Sequence, residues 1–465
     1  MSYRDSAVEV VVSLGTAPIQ QLSFDTPLFV TPTNVFTTRV QSYSDLDSVV
    51  SAGFAVGSPV HRYCENVFSG KFRPDVVKIG RMDYLETVID FNQASYSGVL
   101  TLNMTVQTNT NKYTKTISTA NLSAASTPTQ AATAMATAIE ADSDIGTLVT
   151  ASASSELLTV EPTASTTKLS IGYSMEKQYQ ITNLSTSTVA LSLPIINSED
   201  SNWYFLSTEG HLPVDIKAAA AYAASAEPKR MHVYSSASAD IINPALTTDI
   251  MSELKTLAYD TSIGFYHPDA DEDWSEGGIV GACASIDPSF GDSLHLKSMP
   301  SIAVYPSSVT NRETVWNKNG NIYRTVKGQN VIWEGKVASG QYFDTIRFSH
   351  WFAAKLDEST FGYLYRRSNA GNSMKMSDQD LPVLRSIWTN DPINPAIRNG
   401  GILDGYSEDG TVDYSPIIVI PSRSQIPTND LAARFLDNCR VEVVYNNSLH
   451  FIKIRAFVEL DRITA

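Results

Sequence analysis

The sequence is poor in the residues that build catalytic and metal sites. Its 465 residues include seven histidines, which form no cluster, and three cysteines, Cys64, Cys283 and Cys439, which lie far apart. This spacing offers neither a disulfide framework nor a zinc-ligand motif, so it predicts buried thiols in a reducing compartment and no metal. The sequence also lacks a phosphate-binding loop, a dinucleotide fingerprint, a nucleophile elbow and a His-Glu-x-x-His motif. We therefore expect a protein that is not an enzyme and that needs no cofactor.

Long apolar runs and an excess of positive charge are missing as well. The longest apolar runs, such as residues 10–12 and 417–420, have the length of a strand, far below the roughly 20 residues that span a bilayer. The residues after Met1 do not follow the basic and then apolar order of a signal sequence. A formal net charge of −15 argues against nucleic-acid binding. We expect no membrane insertion, no nucleic-acid partner, and a chain that stays in the cytoplasm where it is made.

Two acidic stretches imitate calcium-binding loops but lack required residues. Residues 269–273 begin like such a loop, yet Trp274 stands where a glycine allows the sharp turn, and Val280 stands where a glutamate binds the ion with both oxygens. Residues 404–413 fail in the same way. We expect solvated acidic loops at both places.

The histidines that lie beside potential partners are expected to be structural. His61 and Cys64 share one face of a predicted helix, but no other metal-ligating residue is near them in the sequence. His350 lies in another predicted helix, without an apparent partner that would position it as a general base. Packed positions on helices are the better interpretation for all three.

Composition divides the chain into a core and an insertion. No arginine occurs between Arg81 and Arg230, no tryptophan occurs before Trp203, and serine and threonine supply 25 of the 66 residues from 105 to 170. Regular alternation of apolar and polar residues predicts strands here and argues against a disordered linker. The predicted strands are residues 98–106, 113–118, 147–151, 157–160 and 168–171. We interpret residues 86–198 as an inserted β-rich outer domain.

The flanking sequence alternates between strand and helix patterns, which is typical of an α/β sheet. Ser44 and Thr127 are the expected N-caps of two helices, and Pro59 is the expected first residue of another. Elements predicted in the same way are strands at residues 26–31, 75–80, 203–206, 230–234, 262–267, 301–305, 321–326 and 331–337, a turn at 327–330, and helices at 213–227, 248–259, 277–285 and 342–366. The expected fold is α/β (α+β multidomain), with a mixed-sheet α/β core, an inserted β-rich domain and extended terminal strand arms.

Both ends of the chain carry strand-like apolar patterns. At the C-terminal end, a short amphipathic helix leads into two strand patterns joined at residues 446–448, the second of them spanning 451–460. A strand at an edge offers unpaired N–H and C=O groups to another chain, so the two ends suggest a building block that assembles with copies of itself. The arm residues expected to contact neighbouring subunits are Val8, Val10, Val11, Val12, Leu14, Phe451, Ile452, Ile454, Phe457 and Val458.

These features give five predicted regions. They are an N-terminal linking arm (1–20), the first part of the core (21–85), the inserted β-rich outer domain (86–198), the second part of the core with the late helices (199–440), and the C-terminal strands and linking arm (441–465).

The chain resembles the tail sheath proteins of contractile bacteriophages, in particular the subgroup known from sequence as DUF3383. The resemblance is carried by many short stretches rather than by one motif. They are residues 10–14, 28–32, 40–50, 57–60, 74–81, 113–114, 131–139, 343–347, 351–352, 376–380, 396–402 and 429–434.

The resemblance implies a mechanical function. Sheath subunits stack as rings around a rigid tail tube, and terminal arms add strands to the sheets of neighbouring subunits. Contraction then drives the tube through the host envelope with energy stored at assembly, so no nucleotide is hydrolysed. The implied partners are further copies of the chain, the tail tube protein, and the baseplate and tail terminator proteins. The implied location is the virion, after assembly in the host cytoplasm.

By the same resemblance, the C-terminal region is expected to face the tube. Four cationic residues there stand out in an acidic chain, and salt-sensitive contacts with carboxylates of the tube are expected from them. They are Arg434, Arg440, Lys453 and Arg455. The residues alone leave open that these side chains are solvated or paired within the chain.

Alternative functions belong to other classes. One is a different virion component, namely a tube, baseplate or adhesin subunit in which the β-rich insertion binds glycans. A sheath of a related contractile injection system would look similar in sequence. The remaining alternative is an unrecognised α/β enzyme.

Overall fold

The computed structural model describes residues 23–175 and 177–455. These residues fall into two compact units. The larger unit consists of residues 23–352, 396–415 and 443–455, and the smaller unit of residues 353–395 and 416–442.

The described residues contain nineteen strands and thirteen α-helices. The strands are β1 (Pro27–Pro32), β2 (Val40–Tyr43), β3 (Val77–Met82), β4 (Tyr84–Asp90), β5 (Tyr96–Gly98), β6 (Thr101–Gln107), β7 (Lys112–Ser118), β8 (Leu122–Ser126), β9 (Val149–Ser154), β10 (Leu157–Pro162), β11 (Lys168–Tyr173), β12 (Gln180–Ser185), β13 (Phe205–Thr208), β14 (Met231–Ser236), β15 (Ser262–Tyr266), β16 (Ile322–Val326), β17 (Gln329–Trp333), β18 (Ile417–Val419) and β19 (Arg440–Glu442). The helices are α1 (Leu46–Ala52), α2 (Pro59–Ser69), α3 (Pro128–Glu140), α4 (Val189–Glu199), α5 (Pro213–Ser225), α6 (Ile250–Thr256), α7 (Ala270–Asp273), α8 (Glu276–Cys283), α9 (Val309–Asn317), α10 (Phe343–Asn369), α11 (Val383–Trp388), α12 (Asn394–Asn399) and α13 (Thr428–Ala433).

A six-stranded sheet forms the centre of the larger unit. Its order is β15-β14-β13-β1-β3-β2, and all neighbours are parallel except β2, which runs antiparallel to β3 at the edge. Successive side chains of β1 point to opposite faces, as the pleat requires. Leu28 and Val30 pack with α4 and α5, whereas Phe29 packs with α2 and α8. The expected mixed-sheet α/β core is therefore confirmed.

The predicted insertion forms antiparallel sheets beside this core. One sheet has the order β12-β4-β10-β9, another the order β11-β6-β7, and β5 pairs with β8. The expected strand over residues 98–106 is interrupted, because Gly98 has a φ of +81° and ends β5 before β6 begins. The boundary at residue 198 assigns α4 to the insertion, although Leu193 and Ile196 of this helix pack under the central sheet. The domain boundaries themselves stay predictions.

Helix starts follow the local capping chemistry, with one correction. Pro59 opens α2 and Thr127 caps α3 as predicted. Ser44 is not the cap of α1, since Asp45 takes that role and its Oδ1 accepts a hydrogen bond of 2.7 Å from the Ser48 backbone N–H. A carboxylate at this position also interacts favourably with the positive end of the helix dipole.

Two predictions for residues 301–337 are wrong. Residues 301–305 form no strand, because the free edge of β15 is taken by a bridge between Phe265 and Asn321. The turn between β16 and β17 consists of Lys327 and Gly328 and not of four residues. Both residues have positive φ, which is typical of the tight two-residue turn that matches the twist of a hairpin.

The three cysteines differ in their exposure to solvent. Cys64 and Cys283 are buried, as expected, whereas Cys439 is exposed in the loop that precedes β19. The expectation of buried thiols is therefore wrong for Cys439.

Among the helices of the described residues, none is both long and apolar enough to cross a membrane.

Candidate functional site

The first turns of α10 form the anchor to which both described ends of the chain attach. Phe348 and Trp351 lie on one face of this helix and are nearly buried, together with Ala396 and Ile402. Residues near both ends of the described chain pack on the same cluster. They are Phe24, Val443 and Tyr445. We call this region of the larger unit the α10 anchor.

The N-terminal end is held by Arg347. Its guanidinium donates hydrogen bonds of 2.8 Å to the carbonyl of Phe24, 2.9 Å to Cys283 and 2.8 Å to Ala284. The last two carbonyls lie at the C-terminal end of α8, where the helix dipole favours a cation. The Phe24 ring also packs against Tyr204, with ring centres 4.9 Å apart. The chain therefore enters the larger unit at a fixed point.

The C-terminal end is held by backbone pairing and by a buried tyrosine–carboxylate contact. Tyr445 bridges Ile402, and its hydroxyl donates to Asp344 Oδ2 at 2.8 Å and lies 3.1 Å from the Gly291 carbonyl oxygen. Gly291 has a φ of +60°, and a Cβ there would lie 2.8 Å from the Tyr445 hydroxyl, so this approach requires glycine. Burial raises the pKa of Asp344, and the hydrogen bond from Tyr445 opposes that rise.

Residues 446–451 continue across the surface of the larger unit. The ring of His450 stacks on His295 with centres 4.5 Å apart, and Tyr342 meets His450 edge-on at 4.6 Å. Phe451 packs against Trp333 at 5.9 Å. The strand expected over residues 451–460 is absent from its described part, since residues 451–455 pair with no strand that the structure describes.

Beyond Phe451 the side chains are exposed. The exposed fractions are 55% for Phe451, 70% for Ile452 and 81% for Ile454. Lys453 and Arg455 alternate with them and are exposed too. The segment therefore presents apolar and cationic groups that the described part of the chain does not cover. The remaining predicted arm residues, Val8, Val10, Val11, Val12, Leu14, Phe457 and Val458, lie outside the described residues.

The predicted tube-facing residues are divided between the two units, and their role stays a prediction. Arg434 ends α13 with a φ of +57°, and Arg440 lies in β19, where its guanidinium is 3.1 Å from Glu442. Both belong to the smaller unit, whereas Lys453 and Arg455 belong to the larger unit.

The smaller unit contains a strand pair with open edges. β18 and β19 pair only with each other among the described strands, so each has one unpaired edge. Ile417 and Val419 of β18 are 51% and 39% exposed, while Ile418 between them is nearly buried. A cavity of about 310 Å³, lined by Val419 and Ile426 among others, adjoins this strand. Such an edge is a template for strand addition.

The acidic stretch at residues 269–273 forms α7 in the structure. His267, Asp269 and Asp273 lie close together there. His267 Nδ1 accepts from the Asp269 backbone N–H, and its Nε2 pairs with the Ala303 carbonyl. Asp269 forms an ion pair of 3.0 Å with Lys177. Both histidine nitrogens are thus engaged by protein groups. The expectation of a solvated loop at residues 269–273 is wrong, because residues 270–273 form a helix and Ala270 is buried.

The other histidines discussed above are also packed. His61 is 7% exposed in α2 beside the buried thiol of Cys64. His350 Nδ1 shares a hydrogen bond of 2.9 Å with the hydroxyl of Tyr204. Burial lowers the pKa of His350 to about 4, so its ring is neutral near pH 7.

A buried ionic network lies at the carboxyl ends of β13 and β14. His211 contacts Asp271 Oδ1 at 2.9 Å and Glu276 Oε1 at 3.2 Å, and Glu276 also accepts a hydrogen bond from Ser235. Burial lowers the pKa of His211, but the charges of Glu276 and Asp271 outweigh it and raise the pKa to about 10. A cavity of about 400 Å³ opens beside Glu209 and His211. The partners are protein groups, so the network ties strands together.

Sequence patterns revealed only part of these sites. The apolar pattern of the predicted arms was visible because alternation within a short segment is a local signal, and the role of the arms stays a prediction. The roles of Arg347, Asp344, His295 and His450 were missed, because these residues meet only when segments far apart in the sequence fold together. One signal in the sequence could have indicated the α10 anchor. Polar residues such as Asp344 and Arg347 lie among the apolar residues of the stretch 343–352.

Comparison with known proteins gives a structural likeness without a sequence match. No family model matches the chain, and neither does any curated protein. The fold is similar to a chain of the anti-feeding prophage baseplate in its contracted state, with a TM-score of 0.52, 10% identity and coverage of 99% of both chains. It is also similar to a sheath tail protein from Listeria innocua, with a TM-score of 0.47, 9% identity and coverage of 92% of this chain and 93% of the other. For a sheath tail protein from Desulfitobacterium hafniense the TM-score is 0.44, the identity 10%, and the coverage 88% and 93%.

The prophage comparison is the one of these three with a TM-score above 0.5. At 10% identity it concerns the fold alone. Over almost its whole length the chain has the fold of a component of that contractile particle. The contractile-tail fold implied by the sequence resemblance is confirmed at this level, while the DUF3383 subgroup stays a prediction.

Proposed function

We propose that the chain is the structural subunit of a contractile tail sheath, which polymerises around a tail tube and contracts to drive the tube through the host envelope. The observation that carries the proposal is the α10 anchor, after which the chain crosses the larger unit and presents exposed apolar side chains at Phe451, Ile452 and Ile454. The shared fold with the prophage chain supports it. In this function the protein is a virion component assembled in the host cytoplasm, and its partners are further copies of itself, the tail tube, the baseplate and the tail terminator. It has no catalytic role and no cofactor.

The anchor suits a mechanical role. Arg347 holds the N-terminal end, and Asp344 holds the C-terminal end through Tyr445, one turn apart on the same helix. A pull on either arm is therefore applied to α10 rather than to a loop. Backbone pairing between an arm and a neighbouring subunit can then act as a hinge while side-chain contacts elsewhere are exchanged.

The strand pair β18–β19 is the proposed acceptor for arms of neighbouring subunits. We expect the double variant Ile417→Asp and Val419→Asp to fold normally and to lose polymerisation, because charges would then line the edge that receives an apolar arm. The matched control is Val309→Asp, since Val309 is 59% exposed at the start of α9. Circular dichroism checks folding, and sedimentation checks size. Polymers of the double variant as long as those of the control would remove β18 from the assembly contact.

The cationic residues are proposed to meet carboxylates of the tube. Charge reversal at Arg434, Arg440, Lys453 or Arg455 should weaken co-assembly with the tube and make it less salt-sensitive, without changing the fold. The measurement is co-sedimentation with purified tube at low and high salt. Unchanged tube-templated assembly in all four variants would contradict this role.

A second candidate is a baseplate subunit of a related contractile injection system, since the matched prophage chain belongs to a baseplate structure. Negative-stain microscopy of the purified protein separates the two. Long hollow cylinders favour the sheath subunit, whereas closed rings or small assemblies of fixed size favour the baseplate subunit.

A further inference from the structure

The C-terminal segment docks on the larger unit through a contact between the rings of His450 and His295. Two imidazole rings stack at a centre-to-centre distance of 4.5 Å and an interplanar angle of 22°. Tyr342 closes one side of the pair, and Phe451 lies 5.3 Å from His295 on another. The C-terminal segment thus docks through a group that can acquire charge near neutral pH.

The hydrogen bonds of the pair fit neutral rings. His295 Nδ1 accepts the backbone N–H of Glu334 at 3.2 Å, so a proton on that nitrogen would break this bond. His450 Nε2 shares a hydrogen bond of 2.7 Å with Ser293. The other two nitrogens, His295 Nε2 and His450 Nδ1, are buried and have no hydrogen-bond partner among the described residues. Because Nδ1 of His295 accepts, the proton of the neutral ring lies on Nε2, and a second proton on Nδ1 would face the Glu334 N–H.

The charged groups that face the two histidines do not offset the effect of burial on their pKa values. Glu334 is engaged by Lys336 at 2.6 Å, and Asp344 accepts the hydrogen bond from Tyr445. For His295, burial and the neighbouring His450 lower the pKa to about 4, against a smaller opposite effect of Glu334. For His450, burial lowers the pKa, and Lys336 adds to this while Asp344 and Glu334 oppose it.

We propose that His450 and His295 form an acid-released latch, in which protonation of the two rings detaches residues 449–455 from the larger unit. The hydrogen bonds of Asn446 with Gly400 and Gly401 hold the chain before this point. A free histidine has a pKa of about 6.5, and both docked histidines have lower values. Docking is therefore strongest above about pH 6.5 and weakens as the pH falls towards about 4. Each histidine contributes up to about a tenfold change in the docking equilibrium per pH unit in this window. The further statement, that this release frees an arm for assembly, rests on the proposed function.

The latch is tested on the unassembled full-length chain. A pH-insensitive dye is attached to Ile454→Cys in a Cys439→Ser background, since Ile454 is exposed and lies just beyond the docked residues. Fluorescence anisotropy reports local mobility from about pH 7.5 to about pH 4.5, and circular dichroism over the same range confirms that the fold persists. We expect a reversible fall in anisotropy with a midpoint between about pH 4 and 6.5. A constant anisotropy would overturn the latch.

The variant His450→Phe provides the matched control, because it keeps an aromatic ring on His295 and cannot be protonated. Its docking should persist to lower pH, and the steepness of release should fall by about half, since one titrating group remains. His450→Gln loses both the ring contact and the charge, so its segment should be mobile at every pH. A titration of His450→Phe identical to that of the parent protein would contradict the role of His450. Because this readout needs no polymer, its failure is distinguishable from a failure of the proposed function.

Discussion

At the scale of single residues, Glu209 connects the central sheet to the β-rich segment. This carboxyl group lies at the end of β13, accepts a hydrogen bond from the Thr31 hydroxyl at the end of β1, and accepts another of 3.2 Å from the Asn183 backbone N–H of β12. Burial raises its pKa to about 7, although the hydrogen bonds oppose the rise. The folded chain therefore holds a proton here that an unfolded chain would release above about pH 4.5.

This raised pKa predicts a particular pH dependence of stability. The folded form binds the proton more tightly than the unfolded form, so the contribution is complete below about pH 4.5 and is lost as the pH rises through about 7. Glu209→Gln should be about as stable as the parent protein near pH 5 and more stable near pH 8, by roughly 2–3 kcal/mol. Urea unfolding at the two pH values measures this. An equal change of stability with pH in parent and variant would show that Glu209 is not the group responsible.

The roles of individual residues were harder to predict from the sequence than the helices and strands. Local signals such as Pro59 at a helix start or Thr127 at a cap depend on neighbours within four residues, and they were read correctly. Glu209 and Arg347 act through partners at least 26 residues away, so no local pattern marks them. The same applies to the histidine pair, in which the two rings are brought together by the fold.

At the scale of elements, β4 and β12 offer a way to remove most of the β-rich segment. Asp90 at the end of β4 is the direct antiparallel partner of Gln180 at the start of β12. A two-residue Asn-Gly turn in place of residues 91–179 would convert the pair into a hairpin. The helix α4, which covers one face of the central sheet, would be retained. We expect this deletion variant to be soluble and folded, though less stable, because contacts such as that between Tyr173 and Trp274 are lost.

The wider deletion of residues 86–198 is the comparison. It removes α4 and exposes Leu28, Val30 and Leu206, so we expect it to aggregate. Circular dichroism and size-exclusion chromatography of the two variants give the result. An insoluble 91–179 deletion would mean that the β-rich segment is not separable from the core.

Helices and strands were predicted well where the signal lies within a short stretch of sequence. They were predicted less well where strand formation depends on a free edge to pair with. The strand predicted at residues 75–80 and the helix predicted at 342–366 were recognised from periodicity, and in the structure they span residues 77–82 and 343–369. Residues 301–305 have strand-like composition but no strand, because Asn321 occupies the edge they would need. The described part of the expected strand 451–460 has no partner strand among the described residues, and a strand is not stable without one.

At the scale of the whole molecule, the resemblance of scattered short stretches predicted the fold better than any single motif. The parallel strands of the core and the antiparallel strands of the β-rich segment are both present. The likeness to the prophage chain extends over 99% of both chains at 10% identity, so two chains with very different sequences share this fold. Division into two units with discontinuous boundaries was not predictable, because the chain passes between them several times.

The account depends on the chain ends linking subunits and not stabilising the subunit itself. If a seven-residue arm pairs with a neighbour, each hydrogen bond adds about 0.5–1.5 kcal/mol, against an ordering cost of comparable size. The net gain must then come from apolar side chains such as Val10 and Val12, at about 25 cal/mol for each Å² buried. Assembly should therefore be sensitive to these two residues, while folding should not.

Sedimentation velocity of the full-length chain beside a variant lacking residues 1–16 tests this most directly. Circular dichroism first establishes that both are folded, and Val10→Asp with Val12→Asp serves as a full-length control of the same surface. We predict large polymers for the parent chain and folded monomers for the truncated and doubly substituted chains. Long cylinders formed by the truncated chain, or a parent chain that stays monomeric under all assembly conditions, would contradict the proposed function.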